Sequence, residues 1–325
     1  MDRRPRPTAP GGEMGAPAGP PVDVRIGFVG FGEAARVFAG GFRGRVASMV
    51  AFCQGARNHP PYTPAFRSEA ERLGVRLVDS TEALAREATV VVSAVATAAA
   101  RQVAEDVARF LGPGHLFVDI NAVPPAVKES MAARVTAQGA RFVDAELMGA
   151  ASLYGFTVPL YVSGDGAETF SALLGPLGLE ITLVPGAASA AATLKMLRSV
   201  VTKGMEAVIV EAMFAAFRAG VPREAFAAVT EPMNTLRFSD FATMCLTSDP
   251  IHAERRAEEM KHVAEVVRAL GVEPIMTEAA RRRLEWSARF GLREARAGKG
   301  FADYLEVLRL YDRLDAGPPA PEGAS

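Results

Sequence analysis

Over the first 184 residues, short apolar runs alternate with stretches in which apolar positions recur every three or four residues. The runs are Val24–Val29, Ala47–Phe52, Val75–Val78, Thr89–Ala94, Leu116–Ile120, Arg141–Asp144, Leu160–Ser163 and Leu179–Val184. Between the earlier runs lie amphipathic segments at Ala34–Arg43, Ala65–Leu73, Thr81–Glu87, Ala98–Phe110 and Ala126–Gln138. A strand buried on both faces is apolar throughout, whereas a helix packed on one side carries a 3.6-residue stripe. The alternation predicts βαβ units, hence a doubly wound, parallel α/β sheet with helices on both faces.

The pattern changes near residue 188. From Ala188 to Ala219 the chain is helix-forming and free of proline, and it stops at Gly220 and Pro222. Such a helix is ~45 Å long. Leu194, Leu197, Val201, Met205, Val208 and Ala212 recur along it at three- and four-residue spacing. Later segments read as helices at Arg223–Val229, Ala253–Leu270, Glu278–Arg289 and Tyr304–Leu314. The predicted organisation is an extension over 1–22, a Rossmann dinucleotide-binding domain over 23–187, an all-helical substrate and dimerisation domain over 188–315, and a tail over 316–325.

A polar line interrupts the apolar long helix. With Lys195 at zero on a helical wheel, Ser199 falls at about 40°, Thr202 at about −20° and Glu206 at about 20°. Arg198 and Lys203 flank it. A solvated face is the plain explanation. The line begins where the nucleotide domain ends, however, which favours the lining of an interdomain cleft.

Composition narrows the function classes. A 325-residue chain with 49% hydrophobic content and net charge −1 is ordinary for a soluble protein of about two domains. Near-neutrality without a basic stripe argues against nucleic acid as the main partner. No apolar run reaches the roughly 18 residues of a membrane helix. The first 22 residues are rich in arginine, proline and glycine and lack a hydrophobic core, so they read as a disordered extension rather than a signal peptide. Two cysteines, Cys53 and Cys245, are too few for a disulfide framework. A cytoplasmic protein without a metal site is expected.

The chemistry starts at Gly30-Phe31-Gly32-Glu33-Ala34-Ala35, a G-x-G-x-x-A turn between the first predicted strand and helix. Gly30 permits the tight turn, Gly32 allows a pyrophosphate to approach the backbone, and Ala35 lets the helix pack closely. The helix N-terminus then faces the phosphates. An NAD site usually carries an acid about 20 residues farther on, against the ribose hydroxyls. No acidic residue occurs between Glu33 and Glu69, and the loop after the second strand reads Cys53-Gln54-Gly55-Ala56-Arg57-Asn58. Arg57 fits a 2′-phosphate, which favours NADP and leaves NAD possible. The three prolines between Asn58 and Ala65 predict a rigid loop over the adenosine side.

Four further stretches carry a resemblance: Asp119–Pro125 (DINAVPP), Phe142–Gly149 (FVDAELMG), Leu194–Gly204 (LKMLRSVVTKG) and His252–Met260 (HAERRAEEM). With the glycine turn, the chain resembles the β-hydroxyacid dehydrogenase superfamily over about residues 24–290. That superfamily includes 6-phosphogluconate and 3-hydroxyisobutyrate dehydrogenases. The nearest branch carries a phosphogluconate-dehydrogenase-like C-terminal domain of unknown function. The resemblance implies that Lys195, about nine residues after Gly186, is the catalytic acid–base. It implies that Val95-Ala96-Thr97 and Asn121 contact the cofactor, Asn121 also serving the substrate. Ser199 stands where the family has asparagine. The family's D-A-P-V-S-G-G substrate loop aligns on Asp144–Ala150, placing Met148 at the serine, followed by Gly149 and Ala150.

These departures imply retained chemistry on a different small-molecule substrate, a hydroxy acid, aldehyde or keto compound. Hydride would pass between nicotinamide and a substrate carbon while Lys195 moves a proton at the oxygen. Burial beside Arg198 and Lys203 would lower the lysine pKa toward the working pH. Ser199 and Asn121 would hold the oxygen, with Arg198 and Lys203 as substrate anchors. His252, Arg255 and Arg256, ahead of a helix at 257–270, are further candidates for an acidic substrate group. Trp286 and the methionines of the second domain read as core. Imine reduction and a non-catalytic nucleotide-binding role are the alternatives. Relatives pair through their helical domains, so a homodimer is expected.

Overall fold

The computed structural model describes residues 22–55 and 58–316. The expected N-terminal extension up to residue 21, the tail from 317 and Arg57 lie outside the described residues. The chain divides into two compact units, 1–198 and 199–325.

The first unit alternates as the pattern predicts: β1 (Val22–Val29), α1 (Glu33–Phe42), β2 (Val46–Phe52), α2 (Pro64–Arg72), β3 (Arg76–Leu77), α3 (Thr81–Glu87), β4 (Val90–Ser93), α4 (Ala100–Ala108), β5 (Leu116–Asp119), α5 (Pro125–Thr136) and β6 (Arg141–Leu147). It continues through the one-turn α6 (Ala151–Tyr154), β7 (Leu160–Ser163), α7 (Ala167–Leu174) and β8 (Ile181–Leu183). The strands form one sheet in the order β3-β2-β1-β4-β5-β6-β7-β8. Phe66, Phe38, Phe42 and Phe170 cover one face with Ile26, Phe28 and Val92. Leu84, Ala104, Val107 and Met131 cover the other with Val91 and Phe117. Burial on both faces is why β1, β4 and β5 read as apolar runs broken mainly at their ends.

One strand departs from the parallel expectation: β7 runs antiparallel to β6 and is followed in parallel by β8. Parallel neighbours are usually joined by a crossover helix that carries the chain across the sheet. The link over 148–159 holds only the one-turn α6 and a single 3-10 turn, with no such helix, and the chain folds straight back. The prolines after β2 are also used differently from the expected loop. Pro64 starts α2 behind the N-cap Thr63, whose Oγ1 accepts the Phe66 N–H at 3.3 Å. The loop is secured instead by Tyr62, whose hydroxyl accepts the Cys53 N–H at 3.1 Å and donates to Val78 O at 2.8 Å.

The long helix, α8, covers Ala190–Arg218. Beyond it come α9 (Pro222–Thr235), α10 (Phe238–Ala269), α11 (Ile275–Ala288), the short α12 (Leu292–Ala295) and α13 (Tyr304–Asp315). Helix α10 starts well before the expected Ala253 and runs through Pro250. His252, Arg255 and Arg256 therefore sit in mid-helix, where Arg255 pairs with Glu259 and Arg256 donates to Ser248 Oγ at 3.0 Å. Trp286 packs with Phe290 and Tyr311 on the cluster of Ile251, Leu292, Phe301 and Val307. The methionines do not follow it inward: Met205, Met233 and Met244 are exposed. So are Leu197, Val201 and Val208 of the predicted apolar stripe.

A carboxylate caps a helix that has no cap of its own. Helix α11 begins at Pro274 without a side-chain cap, and Glu211 of α8 accepts from Met276 N (2.6 Å), Thr277 N (2.9 Å) and Thr277 Oγ1 (2.6 Å). Burial alone would raise the Glu211 carboxyl, but these donors outweigh it and hold it below its ordinary value. Lowered in the folded state, this group stabilises above its ordinary pKa of 4.5, and the contribution fades as pH falls through and below that value. Replacing it with alanine, E211A, is expected to lower urea-unfolding stability by about 1–2 kcal/mol at pH 7. The deficit should shrink on acidification, as chemical denaturation at both pH values will show.

Candidate active site

The sheet reverses its winding between β1 and β4, which lie side by side although β2 and β3 separate them in sequence. At the carboxyl ends of such strands the loops part and leave a crevice. A cavity of about 1010 Å³ opens there. Its walls include Gly30, Phe31 and Gly32 after β1, Cys53 and Gln54 after β2, and Val95 and Ala96 after β4. Gly30 has φ +85°, and a Cβ there would meet Ala94 O at 2.2 Å. A Cβ on Gly32 would meet nothing within 4 Å, so the space in front of α1 is open to a ligand. Ala35 is fully buried, as close helix packing requires. The residues present therefore fit a dinucleotide. Glu33 and Ala34 follow in the first turn of α1 and Thr97 follows Ala96, next to the lining rather than in it. Asp79, Ser80, Thr81, Gln102 and Asp106 also line the cavity and escape the sequence reading, because no glycine signature marks the ends of β3 or the face of α4.

Cys53, at the position where an NAD enzyme would carry an acid, is buried, and its thiol is pushed up to about 11, chiefly by burial. The end of β2 is therefore uncharged. Asn121 is buried, and its amide is engaged within the protein. Its Oδ1 accepts Val95 N–H at 2.8 Å, while Nδ2 donates to Ser93 Oγ at 2.8 Å and to Asp119. It fixes the Val95 loop of the cavity wall.

Beside this groove lies a cluster of buried charges. Asp119 ends β5 and stands in register with Asp144 of β6. Two residues on, Glu146 points to the same face. Three carboxylates so placed repel unless a cation sits among them. Lys128 supplies it from α5: its Nζ lies 2.7 Å from Asp119, 2.7 Å from Asp144 and 3.1 Å from Glu146, and all four side chains are buried. Burial by itself would lower the Lys128 pKa; the three carboxylates outweigh it, and the ammonium stays charged. The sequence signal was spacing: Lys128 shares the inward face of α5 with Met131, Ala132 and Val135.

The same cluster anchors α8. Ala192 N–H donates to Asp144 Oδ2 at 2.8 Å, Ala191 N–H to Ser163 Oγ at 2.9 Å and Ser189 N–H to Glu129 Oε1 at 2.9 Å. One turn later Lys195 Nζ reaches Glu146 Oε2 at 2.7 Å, with its side chain 26% exposed. Its charged neighbour is thus a carboxylate, not the cations Arg198 and Lys203 that the sequence suggested. Arg198 and Lys203 are exposed, and Ser199 follows Lys195 by one helical turn. Met148 is buried, its N–H donating to Pro159 O at 2.8 Å. A Cβ on Gly149 would meet the Tyr154 ring at 2.6 Å, and the exposed Ala150 leads into α6.

Comparison with known proteins places these features. The NAD binding domain of 6-phosphogluconate dehydrogenase matches residues 25–167. A domain of unknown function, DUF1932, matches residues 216–287. A conserved hypothetical protein from Sinorhizobium meliloti 1021 is 32% identical, with 89% of this chain and 96% of its own covered at a TM-score of 0.58. The conserved protein MTH1747, described as structurally similar to 3-hydroxyacid dehydrogenases, is 31% identical over 85% of this chain and 99% of its own, at 0.57. An imine reductase from Myxococcus stipitatus, a variant in complex with NAD+, shares the fold at a TM-score of 0.68 with 18% identity, over 88% of this chain and all of its own. No helix among the described residues is long and apolar enough to cross a membrane.

Asp144 has a measurable signature. Burial pushes its carboxyl up from 3.8 to about 6, with Lys128 opposing and Glu146 adding. Raised in the folded state, this group contributes most below about pH 4, and its contribution is lost as pH rises through about 6. The shift corresponds to at most about 3 kcal/mol. The stability difference between wild type and D144N, measured by urea unfolding from pH 4 to 7, is expected to change by an amount of that order. A constant difference would exclude this proton.

Proposed function

We propose that this chain, which belongs to the β-hydroxyacid dehydrogenase superfamily in the branch joining a 6-phosphogluconate dehydrogenase-type NAD-binding domain to DUF1932, is a nicotinamide-dependent dehydrogenase or reductase with Lys195 as its acid–base group. The observation that carries this reading is the placing of Lys195. A lysine on the first turns of α8 is held by a buried carboxylate on the sheet that also forms the nucleotide groove. An exposed surface lysine would have no such built partner.

The bound nicotinamide would supply hydride exchange with a substrate carbon. Gly30 and Gly32 admit the pyrophosphate to the start of α1, and Asn121 holds the Val95 loop against the groove. Lys195 exchanges a proton with the substrate oxygen, which makes a small hydroxy acid, aldehyde or keto compound the reading of choice. Ser199 can donate to the same oxygen. Met148 in place of the family serine removes a hydroxyl from the substrate loop, consistent with a substrate outside the well-known ones. Retention of the lysine favours carbonyl over imine chemistry. NADP is the favoured cofactor, because the end of β2 offers Cys53 and Gln54 rather than a carboxylate, and Arg57 follows in sequence.

A panel of carbonyl and imine compounds with NADPH tests this directly. K195M is expected to lower kcat by at least about 100-fold on any substrate found, with NADPH affinity unchanged. Equal turnover in K195M would remove the acid–base assignment. Titration by protein fluorescence should show NADPH binding more tightly than NADH, and R57A should weaken NADPH alone by about tenfold.

A second copy of the chain is the proposed partner. Helix α9 buries none of its residues, and Phe226, Val229 and Met233 on it are exposed. On α8, Val210, Phe214 and Phe217 are exposed as well. An apolar surface of this extent belongs in an interface. Sedimentation at micromolar concentration should give the dimer mass, and F214D with F217D should give the monomer; a wild-type monomer would reject the pairing.

A further inference from the structure

We propose that Glu146 is the positioning residue of Lys195: clamped by the buried Lys128, its carboxylate fixes the amine and supplies the counter-charge against which the proton is held. The inference rests on reading Lys195 as the acid–base group, and it deepens that reading.

The geometry is a chain of contacts that closes on itself. Ala192 N–H donates to Asp144, Asp144 touches Lys128, Lys128 touches Glu146, and Glu146 touches Lys195, three residues beyond Ala192 on the same helix. Glu146 is 1% exposed, so its charge is screened little by water. Its contacts to Lys128 and Lys195 are close but not aligned as hydrogen bonds, which leaves both oxygens acting through charge. The charged groups around the pair are Lys128 from α5, Asp144 from β6 and Asp119 from β5, with Arg198 exposed farther along α8. Two ammonium groups thus face three carboxylates. The charge nearest the Lys195 ammonium is therefore negative.

Removing the Glu146 charge leaves two cations against two carboxylates, so the isosteric E146Q is expected to fold. The test is competitive labelling of the full-length protein with acetic anhydride, which reacts with unprotonated amines, the Lys195 peptide being resolved by mass spectrometry. With the carboxylate gone the amine is no longer held, and E146Q should label Lys195 about tenfold faster than wild type. E146D keeps the charge while opening a small cavity, and it should label within about threefold of wild type. A packing role predicts the opposite order, since glutamine fills the site and aspartate does not. An E146Q rate within about threefold of wild type overturns the proposal. Should E146Q not fold, E146D labelling more than about threefold faster overturns it alone. The readout needs no substrate. If K195M abolishes turnover while E146Q leaves labelling unchanged, the acid–base reading stands and this one falls. Failure to find turnover leaves the labelling result intact.

Discussion

A single ammonium group, that of Lys128, holds the first unit in the form its site requires. An isolated lysine with no exposure would cost several kcal/mol to bury. Three carboxylates crowded on one face of the sheet would be as unfavourable by themselves. Each charge is tolerable only because the other is present, and the tolerance depends on position: 2.7 Å to Asp119 and Asp144, 3.1 Å to Glu146. A well-packed apolar cluster could match the stability. It could not fix the relative placement of α5, β5 and β6 so narrowly, because apolar contacts lack direction. The start of α8 is tied to the same point through Asp144.

That placement governs what the site can do. The nucleotide groove is shaped by backbone: the positive φ of Gly30, the open space at Gly32 and the Val95 loop held by Asn121. Lys195, by contrast, sits on a long side chain with many rotamers. Its amine reaches a defined position because both ends are constrained. The helix is anchored at Ala191 and Ala192, and the ammonium meets Glu146. An amine held in this way needs little rearrangement to keep its place.

Much of the architecture was legible in the sequence because it follows from periodicity. All eight strands and the long helix lie where apolar runs and spacing put them, since a two-faced sheet tolerates few other residues. The reversal at β7 was hidden, as strand direction depends on the path of the connecting link and not on strand composition. Helix α10 was read only from Ala253, whereas it begins at Phe238 and runs through the buried Pro250. The methionines of the second domain were read as core because hydropathy does not say which surface covers a residue. In the nucleotide groove, the glycine turn was readable from motif and spacing. The cluster that Lys195 contacts was not. Lys128, Asp119, Asp144 and Glu146 are far apart in sequence, and each alone is an unremarked charge.

The closed circuit also explains why stability and chemistry cannot be separated cleanly here. Asp144 satisfies a backbone donor at the start of α8 and neutralises Lys128, so removing it loosens the helix and the charge cluster together. Glu146 is different. It caps no helix and lies at the outer end of the circuit, between Lys128 and the partly exposed Lys195. The member of the circuit that anchors backbone is therefore Asp144, and the member that meets Lys195 is Glu146. The division follows from strand geometry: alternate residues of β6 share a face, and Glu146 lies two residues nearer the carboxyl end of the strand than Asp144.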